Sequence, residues 1–486
     1  MLFQSDIADF AVFKKELAMN FSCGLLLAGA FTILSTSTQA QSLTPDQQQL
    51  RSIYQELVEI NTTSSAGSCT TAAQAMAARL KQAGFTDAQM QLIVPPGGPT
   101  KGNLVARLKG SGAKKPLMLL AHLDVVEAKR EDWTRDPFKL VEEDGYFYAR
   151  GAFDNKAQAA IFVANMMRYK RAGVARSRDL ILALTCDEET VPSEFDGVDY
   201  LLKHHRGLID AELALAEGGS IAQSADGKLI SHGVQFGEKT FQNFALEVTN
   251  KGGHSSVPVP DNAIAHLAGG LARLSTFAFP FMLSATTRSY FEQTSGLVAA
   301  QVGSDMKAIL ADSPDVAAMA RLAAVNPFYN ASVRTTCVPT MVNAGHASNA
   351  LPQRAQAVVN CRILPGTRVD EVQHTLTRVL GNELIRVSPM GTAISAPAPP
   401  HNALLLSTVQ DLSEKMWPGL KVISTMAAGA TDGRYLNSAG IWTYGVSGLV
   451  KEANGSGMHG LNERLGVKSF YDAQAFLYEL AETLAE

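Results

Sequence analysis

The chain has 486 residues, 46% of them hydrophobic and 18% charged, with a formal net charge of −4. That length exceeds what one core usually supports, so two domains are expected, and the composition excludes a disordered or fibrous protein. The mild negative balance and the lack of any basic stripe leave no footprint for nucleic acid and point to small-molecule partners. At the N-terminus, Lys14 and Lys15 precede an apolar run over residues 21–34 and a small-residue stretch over 35–40. This is the pattern of a secretory signal peptide, residues 1–40, cleaved after Ala40. The run is shorter than the ~20 apolar residues of a membrane span, so no span is expected; a retained anchor or buried helix is the alternative. A periplasmic or secreted location follows, with Met19-Asn20-Phe21 as an alternative start.

Strands and helices then alternate from about residue 45 to 232. Residues 117–121 and 180–185 are short, almost wholly apolar runs, as strands buried on both faces should be. Between them, 157–169 reads as a helix bracketed by Gly151 and Gly173. The alternation predicts an α/β fold, a mostly parallel sheet sandwiched by helices, with ligands beyond the carboxyl ends of its strands. From residue 241 the rhythm changes: strand 241–249, helix 261–274, a Phe- and Ala-rich stretch without clear boundaries, strands 332–343 and 356–363, helix 369–380 and strand 383–387. A βαββαβ order predicts a ferredoxin-like α+β domain. After an Ala/Pro linker at 393–400, helix 402–416 and strand 421–425 resume the first pattern. The expected organisation is a catalytic domain in two parts, 41–234 and 393–486, with a lid of the dimerisation type, 235–392, inserted between them.

Several polar residues fall just beyond apolar strands. His122 and Asp124 follow one strand, and residues two apart on extended chain point the same way. Asp154 lies between a hairpin and a helix start, where an N-cap is the bland reading. Asp187, Glu188 and Glu189 follow the next strand; three adjacent carboxylates repel one another unless solvated or neutralised by a cation. Glu217 closes the apolar stretch 213–216, and His459 sits in a glycine-rich loop after strand 441–446. Each signal is weak by itself. Together they place two imidazoles and three carboxylates where an α/β sheet builds its site, which suits two zinc ions bridged by an oxygen. Asp154, Glu189, Glu217 and a bridging hydroxide would balance the charge of two Zn2+, leaving Glu188 free to accept a proton. Cys69, Cys186, Cys337 and Cys361 lack paired spacing for a cysteine-ligated zinc. Cys337 and Cys361 flank a hairpin and can bridge in an oxidising compartment, whereas Cys186 reads as a buried thiol.

In order along the chain, "LMLLAHLDVVEA", "DWTRDPFKLVEEDGYFYARGAFDNKA", "LTCDEET", "ALAEGG", "NKGGHSSVP", "ASNALP", "NCRILPG", "GATDGRYL" and "GMHGLNERL" resemble one family. It is that of the co-catalytic zinc exopeptidases and amidohydrolases, which includes glutamate carboxypeptidase, aminoacylase, succinyl-diaminopimelate desuccinylase and carboxypeptidase S. The resemblance implies His122 and Glu217 as terminal ligands of one zinc, Glu189 and His459 of the other, and Asp154 as the bridge before a cis bond to Asn155. It implies Glu188 as general base, Asp124 as the residue that orients His122, and Asp187 as a spacer. On the lid, His254 resembles the residue that polarises the scissile carbonyl, in cis or from the partner of a homodimer. Asn349 and Arg362 resemble the residues that hold the oxyanion and the substrate carboxylate, with Gly429 and Thr431 contacting the same end. Asn155 departs from the second Asp of many members, and residues 279–328 are longer than in the compact dimeric ones.

The implied activity is a dizinc metallopeptidase that cleaves a peptide or amide bond next to a free carboxylate through a metal-bridging hydroxide, with Co2+ or Mn2+ as alternative metals. Glu217 sides with carboxypeptidase and acylase members rather than dipeptidases, making N-acyl-amino-acid hydrolysis the alternative reaction. A catalytically silent peptide-binding protein is a third reading, but it predicts lost ligands, and every one is present.

Overall fold

The computed structural model describes residues 42–190 and 193–486, so the expected signal peptide lies outside the described residues. Two helices lead, α1 (Pro45–Glu59) and α2 (Cys69–Gln82). A capping box between Thr44 and Gln47 starts α1, and Ser68 caps α2, each side chain pairing an amide that the first turn leaves free. Strands β1 (Met90–Ile93), β2 (Asn103–Leu108) and β3 (Leu117–His122) follow, then the hairpin β4 (Val141–Glu143) and β5 (Tyr146–Tyr148). Next come α3 (Lys156–Ala172), β6 (Leu180–Thr185), α4 (Gly197–His204), α5 (Arg206–Ile209), β7 (Leu213–Ala216), β8 (Ile221–Gln223) and β9 (Leu229–Glu238). β3, β6 and β7 are buried at every position, as their unbroken apolar runs require. α3 stops at Gly173, which takes the left-handed conformation that glycine reaches without strain.

The chain then leaves this sheet through Lys239 into β10 (Thr240–Thr249) and β11 (Gly253–His254). Helices α6 (Ala263–Ser275), α7 (Ala285–Thr294), α8 (Ala300–Ile309), α9 (Val316–Val325) and α10 (Pro327–Ser332) precede β12 (Thr336–Ala344). β13 (Ala350–Leu351), β14 (Arg354–Ile363), α11 (Val369–Leu380) and β15 (Arg386–Met390) complete the segment. Its four antiparallel strands lie in the order β12-β14-β10-β15, the ferredoxin-like arrangement, with α6 and α11 covering a core of Phe244, Leu246, Val359 and Leu376. The Phe- and Ala-rich stretch that has no boundaries in sequence is the four short helices α7 to α10. They bury an apolar cluster of their own, Phe291, Met306, Ile309, Met319 and Leu322.

The chain returns with α12 (Ala403–Met416), β16 (Lys421–Ala427), α13 (Gly433–Ser438), β17 (Trp442–Gly445), β18 (Val450–Lys451), β19 (Arg464–Gly466) and α14 (Val467–Ala485). Among the described residues the large sheet runs β1-β2-β6-β3-β7-β17-β9-β8-β18, with β16 also on β9. β6, β3, β7 and β17 are mutually parallel, so their carboxyl ends share one edge. Among the described residues no helix is long and apolar enough to cross a membrane.

Cys337 and Cys361 face each other across β12 and β14 and form a disulfide. Cys186 corrects its reading as a free buried thiol: it is bonded to Cys69, 117 residues earlier. Nothing local in the sequence signals that pairing, which ties the start of α2 to the residue after β6.

On the helix-covered face of β9, His232 is fully buried between Trp417 and Phe476, with Nδ1 2.8 Å from Ser413 Oγ. Burial pushes this imidazole down to about 3. In the unfolded chain it titrates near ~6.5, so between the two values only the unfolded state holds the proton. Its contribution is therefore complete above about pH 6.5 and is lost as the pH falls toward 3, up to about 5 kcal/mol in all. In His232→Phe, the gap in unfolding free energy between pH 7 and pH 4 should narrow by about 3 kcal/mol in urea titrations. An equal gap in both proteins would remove His232 as the cause.

Candidate metal centre

The parallel strands deliver their polar successors to one edge. His122 ends β3 and is 2% exposed; its Nδ1 lies 3.0 Å from the Asp124 carbonyl oxygen. Its Nε2 lies 3.1 Å from Asp154 Oδ1 and 3.5 Å from Glu217 Oε2. His459, in the loop before β19, has Nε2 2.9 Å from Glu189 Oε1 and 3.3 Å from Asp154 Oδ2. Each oxygen of Asp154 thus faces a different imidazole. A tetrahedral zinc with nitrogen and oxygen ligands near ~2.1 Å sets its donors roughly 3.4 Å apart. Both donor sets, His122-Asp154-Glu217 and Asp154-Glu189-His459, fit that requirement, and within each the donor atoms lie within 4.8 Å of one another.

The electrostatics agree. Burial alone would lower His122, but Glu217, Asp124 and Asp154 raise it well above the usual histidine range. Hydrogen bonds to Asp154 and Glu189 push His459 up to about 10. Burial alone would raise Asp154, yet the two imidazoles hold it below the ordinary carboxylate range. Burial first, and Glu217 second, push Glu188 well above its ordinary value; burial also raises Glu189. Carboxylates this crowded need positive charge, and a pair of divalent cations supplies it from the same donors.

Several groups outside the donor sets hold them in place. Glu463, 1% exposed, accepts the amides of Gly151, Phe153 and Asp154 at 3.0, 2.8 and 2.9 Å and pairs with Arg150 at 2.8 Å. It therefore shapes the loop that presents Asp154, whose bond to Asn155 is cis. Sequence reasoning assigned Glu463 no role, although it stands inside the "GMHGLNERL" segment. In Glu463→Gln the buried Arg150 charge loses its partner, and a loss of about 3 kcal/mol in denaturant unfolding is expected. An unchanged midpoint would strip Glu463 of this role.

Asp124 does more than face His122, whose Nδ1 lies 3.0 Å from its carbonyl oxygen and 3.6 Å from its carboxylate. That carboxylate also accepts the amides of Glu188 and Glu189 at 3.3 and 2.9 Å. Asp187, read as a spacer, sits at φ 68° and takes Lys101 Nζ and Ser193 Oγ, anchoring the turn that carries both glutamates. Asn155 Nδ2 donates to Glu217 Oε2 at 3.3 Å. Arg434 lies 3.9 Å from Glu188 and 3.4 Å from Asp196, a buried cation that the sequence did not single out.

A cavity of about 580 Å³ opens on Asp154, Glu188, Glu189, Glu217 and His459 and is also lined by Gly429 and Thr431. Thr431 is fixed by Glu238, which accepts its amide and hydroxyl at 2.8 and 2.7 Å. Arg362 stacks on Phe241 at 4.7 Å; burial first, and the neighbouring Arg434 second, lower its guanidinium pKa, against smaller opposing effects of Glu188 and Glu238. His254 and Asn349 are not brought to this cavity: they are exposed at the β11/β13 ribbon, where the Asn349 carbonyl accepts the Ser255 amide.

Two overlapping donor sets that share one carboxylate, at the carboxyl ends of a parallel sheet, are what a metal-dependent hydrolase requires. The chain belongs to peptidase family M20/M25/M40, whose signature matches residues 118–483. It is 28% identical over 381 residues to the N-fatty-acyl-amino acid synthase/hydrolase PM20D1 of Mus musculus, covering 76% of this chain and 74% of that one. It is 26% identical over 393 residues to a carboxypeptidase S-like 2 protein of Dictyostelium discoideum, covering 78% and 73%. Its fold is similar to that of the M20 family metallo-carboxypeptidase Sso-CP2 of Sulfolobus solfataricus. The TM-score is 0.63 at 18% identity, with 90% of this chain and 99% of that one covered.

Proposed function

We propose that the chain hydrolyses an amide bond next to a free carboxylate, holding two divalent cations, zinc before cobalt or manganese, through His122, Asp154, Glu189, Glu217 and His459. The observation that carries this reading is the split of Asp154, one oxygen toward each imidazole, with Glu188 buried alongside. Such a pair of ions, when bound, acidifies water and polarises a carbonyl. Glu188 takes the proton of the attacking water and passes it to the leaving amine. Arg362 offers a planar fork to the substrate carboxylate, with Gly429 and Thr431 shaping that end. His254 and Asn349 reach the carbonyl only when the lid closes or a partner's ribbon is supplied.

Carboxypeptidase action on peptides is the first reading, and N-acyl-amino-acid hydrolysis the second, favoured by the long, mostly apolar cavity and by the name of the PM20D1 relative. Purified protein with its metal content measured should release amino acids from a peptide or an N-acyl panel. Metal-loaded protein that cleaves neither would end the proposal. A periplasmic or secreted location after cleavage behind Ala40 is part of the reading, supported by the two disulfides. So is a homodimer through the lid, supported by edge strand β12 with Val338, Met341 and Val342 exposed. N-terminal sequencing and sedimentation test these two points.

A further inference from the structure

The cavity does not end at the metal donors. It continues along one face of the β8-β9-β16 arm, and the register explains its shape. Ala222 pairs with Ser231, Gly233 with Ile423, and Gln235 with Thr425, so these side chains share one face. Ala222, Ser231, Gly233 and Thr425 are small and leave a trough above the sheet; a Cβ on Gly233 would already meet Thr425 Cγ2 at 3.1 Å. The four-residue step from Gln235 to Ser231 spans about 13 Å at the usual strand rise. The inner end is fixed by Gly218, next to Glu217, which touches Gln235. The outer end opens beside Lys451, opposite Ala222 in the pairing of β18 with β8.

The roof comes from the helical segment. Tyr290 on α7 and Phe328 on α10 line the same cavity, with their rings 6.0 Å apart. α7 is held against the sheet by Gln293, whose Oε1 accepts the Ser424 amide at 3.2 Å on the free edge of β16. Beneath them, β9 is paired on both sides, so its own amides are engaged within the sheet. A peptide laid here would have to pair its N–H and C=O groups with the few side chains Ser231, Gln235, Thr425 and Lys451, whereas an alkyl chain has none to satisfy.

We infer that this trough is an acyl subsite that seats the linear aliphatic chain of an N-acyl amino acid, with Tyr290 and Phe328 as specificity-determining residues. The inference rests on the amide-hydrolase reading above, which places the carboxylate at the Arg362 and Thr431 end and leaves the trough to the other side of the amide. The length suits a chain of roughly ten carbons, and each methylene buried should raise kcat/KM about fourfold.

The test is an acyl series from acetyl to dodecanoyl on one fixed amino acid, followed by amino-acid release with metal-loaded protein. For the wild type, octanoyl should exceed acetyl by at least ~100-fold, with the gain levelling off once the trough is filled. Tyr290→Ala and Phe328→Ala should each cut the octanoyl-to-acetyl ratio about tenfold, since each removes several apolar contacts along the chain. Val316→Ala, at an 81% exposed position on α9, should leave the ratio alone. Thermal melts show whether each variant is folded. Gly233→Leu gives a second reading, because it should suppress long chains by filling the floor. A flat series, or an unchanged ratio in both aromatic variants, overturns the inference. So does a steeper gain in a parallel series of acetyl amino acids with growing side chains, which would give the trough to the amino-acid side. Failure to cleave any member of either series would instead bring down the amide-hydrolase reading itself.

Discussion

Glu188→Gln is expected to keep its full metal content and to lose at least ~100-fold in turnover, the usual scale for removing a general base. The expectation follows from position. Glu188 is 8% exposed and lines the cavity; its carboxylate also lies within 4.8 Å of donor atoms of His122 and Glu189, but it belongs to neither donor set that contains the shared Asp154. Its amide is fixed by Asp124, and Arg434 stands 3.9 Å from its carboxylate. Glutamine keeps the shape and removes the ability to take a proton. Metal analysis and steady-state kinetics on the same sample separate the outcomes. Metal lost together with activity would make Glu188 a ligand, and full activity would end its assignment as the base.

Asp154→Ala should be worse, because one residue serves both donor sets. Changing a group that merely supports a ligand commonly costs 10–100-fold in affinity or activity, so losing the shared carboxylate should cost more than ~100-fold. Metal stoichiometry gives the sharper contrast. Glu217→Ala and Glu189→Ala each disturb one set and should leave about one ion, whereas Asp154→Ala should leave less than either. Two ions retained in Asp154→Ala, with circular dichroism showing a folded protein, would refute the shared-ligand geometry.

The features legible in the sequence were those with local periodicity. β6, β7 and α11 begin and end where the apolar pattern says they should, because a strand buried on both faces or a strongly amphipathic helix leaves little freedom. The five donors were legible for a related reason: each directly follows such a strand or sits in a glycine-marked loop. What could not be read depends on distant partners. Glu463 reaches the Asp154 loop from more than three hundred residues downstream. The short helices α7 to α10 pack around their own cluster, and no single one carries a pattern strong enough to set its limits. Asp187 looked redundant beside two better-placed glutamates, yet the turn depends on its contacts with Lys101 and Ser193.

The bridge between Cys69 and Cys186 has a practical consequence. Its second sulfur lies one residue before the acidic turn, and Asp124 adjoins both cysteines. Closing so large a loop is worth about 4–5 kcal/mol by chain entropy, so thiol-reducing cytosol should yield a less stable product with its carboxylate turn untethered. Preparations from reducing and oxidising hosts should therefore differ in specific activity in proportion to their free-thiol content, even when both bind metal.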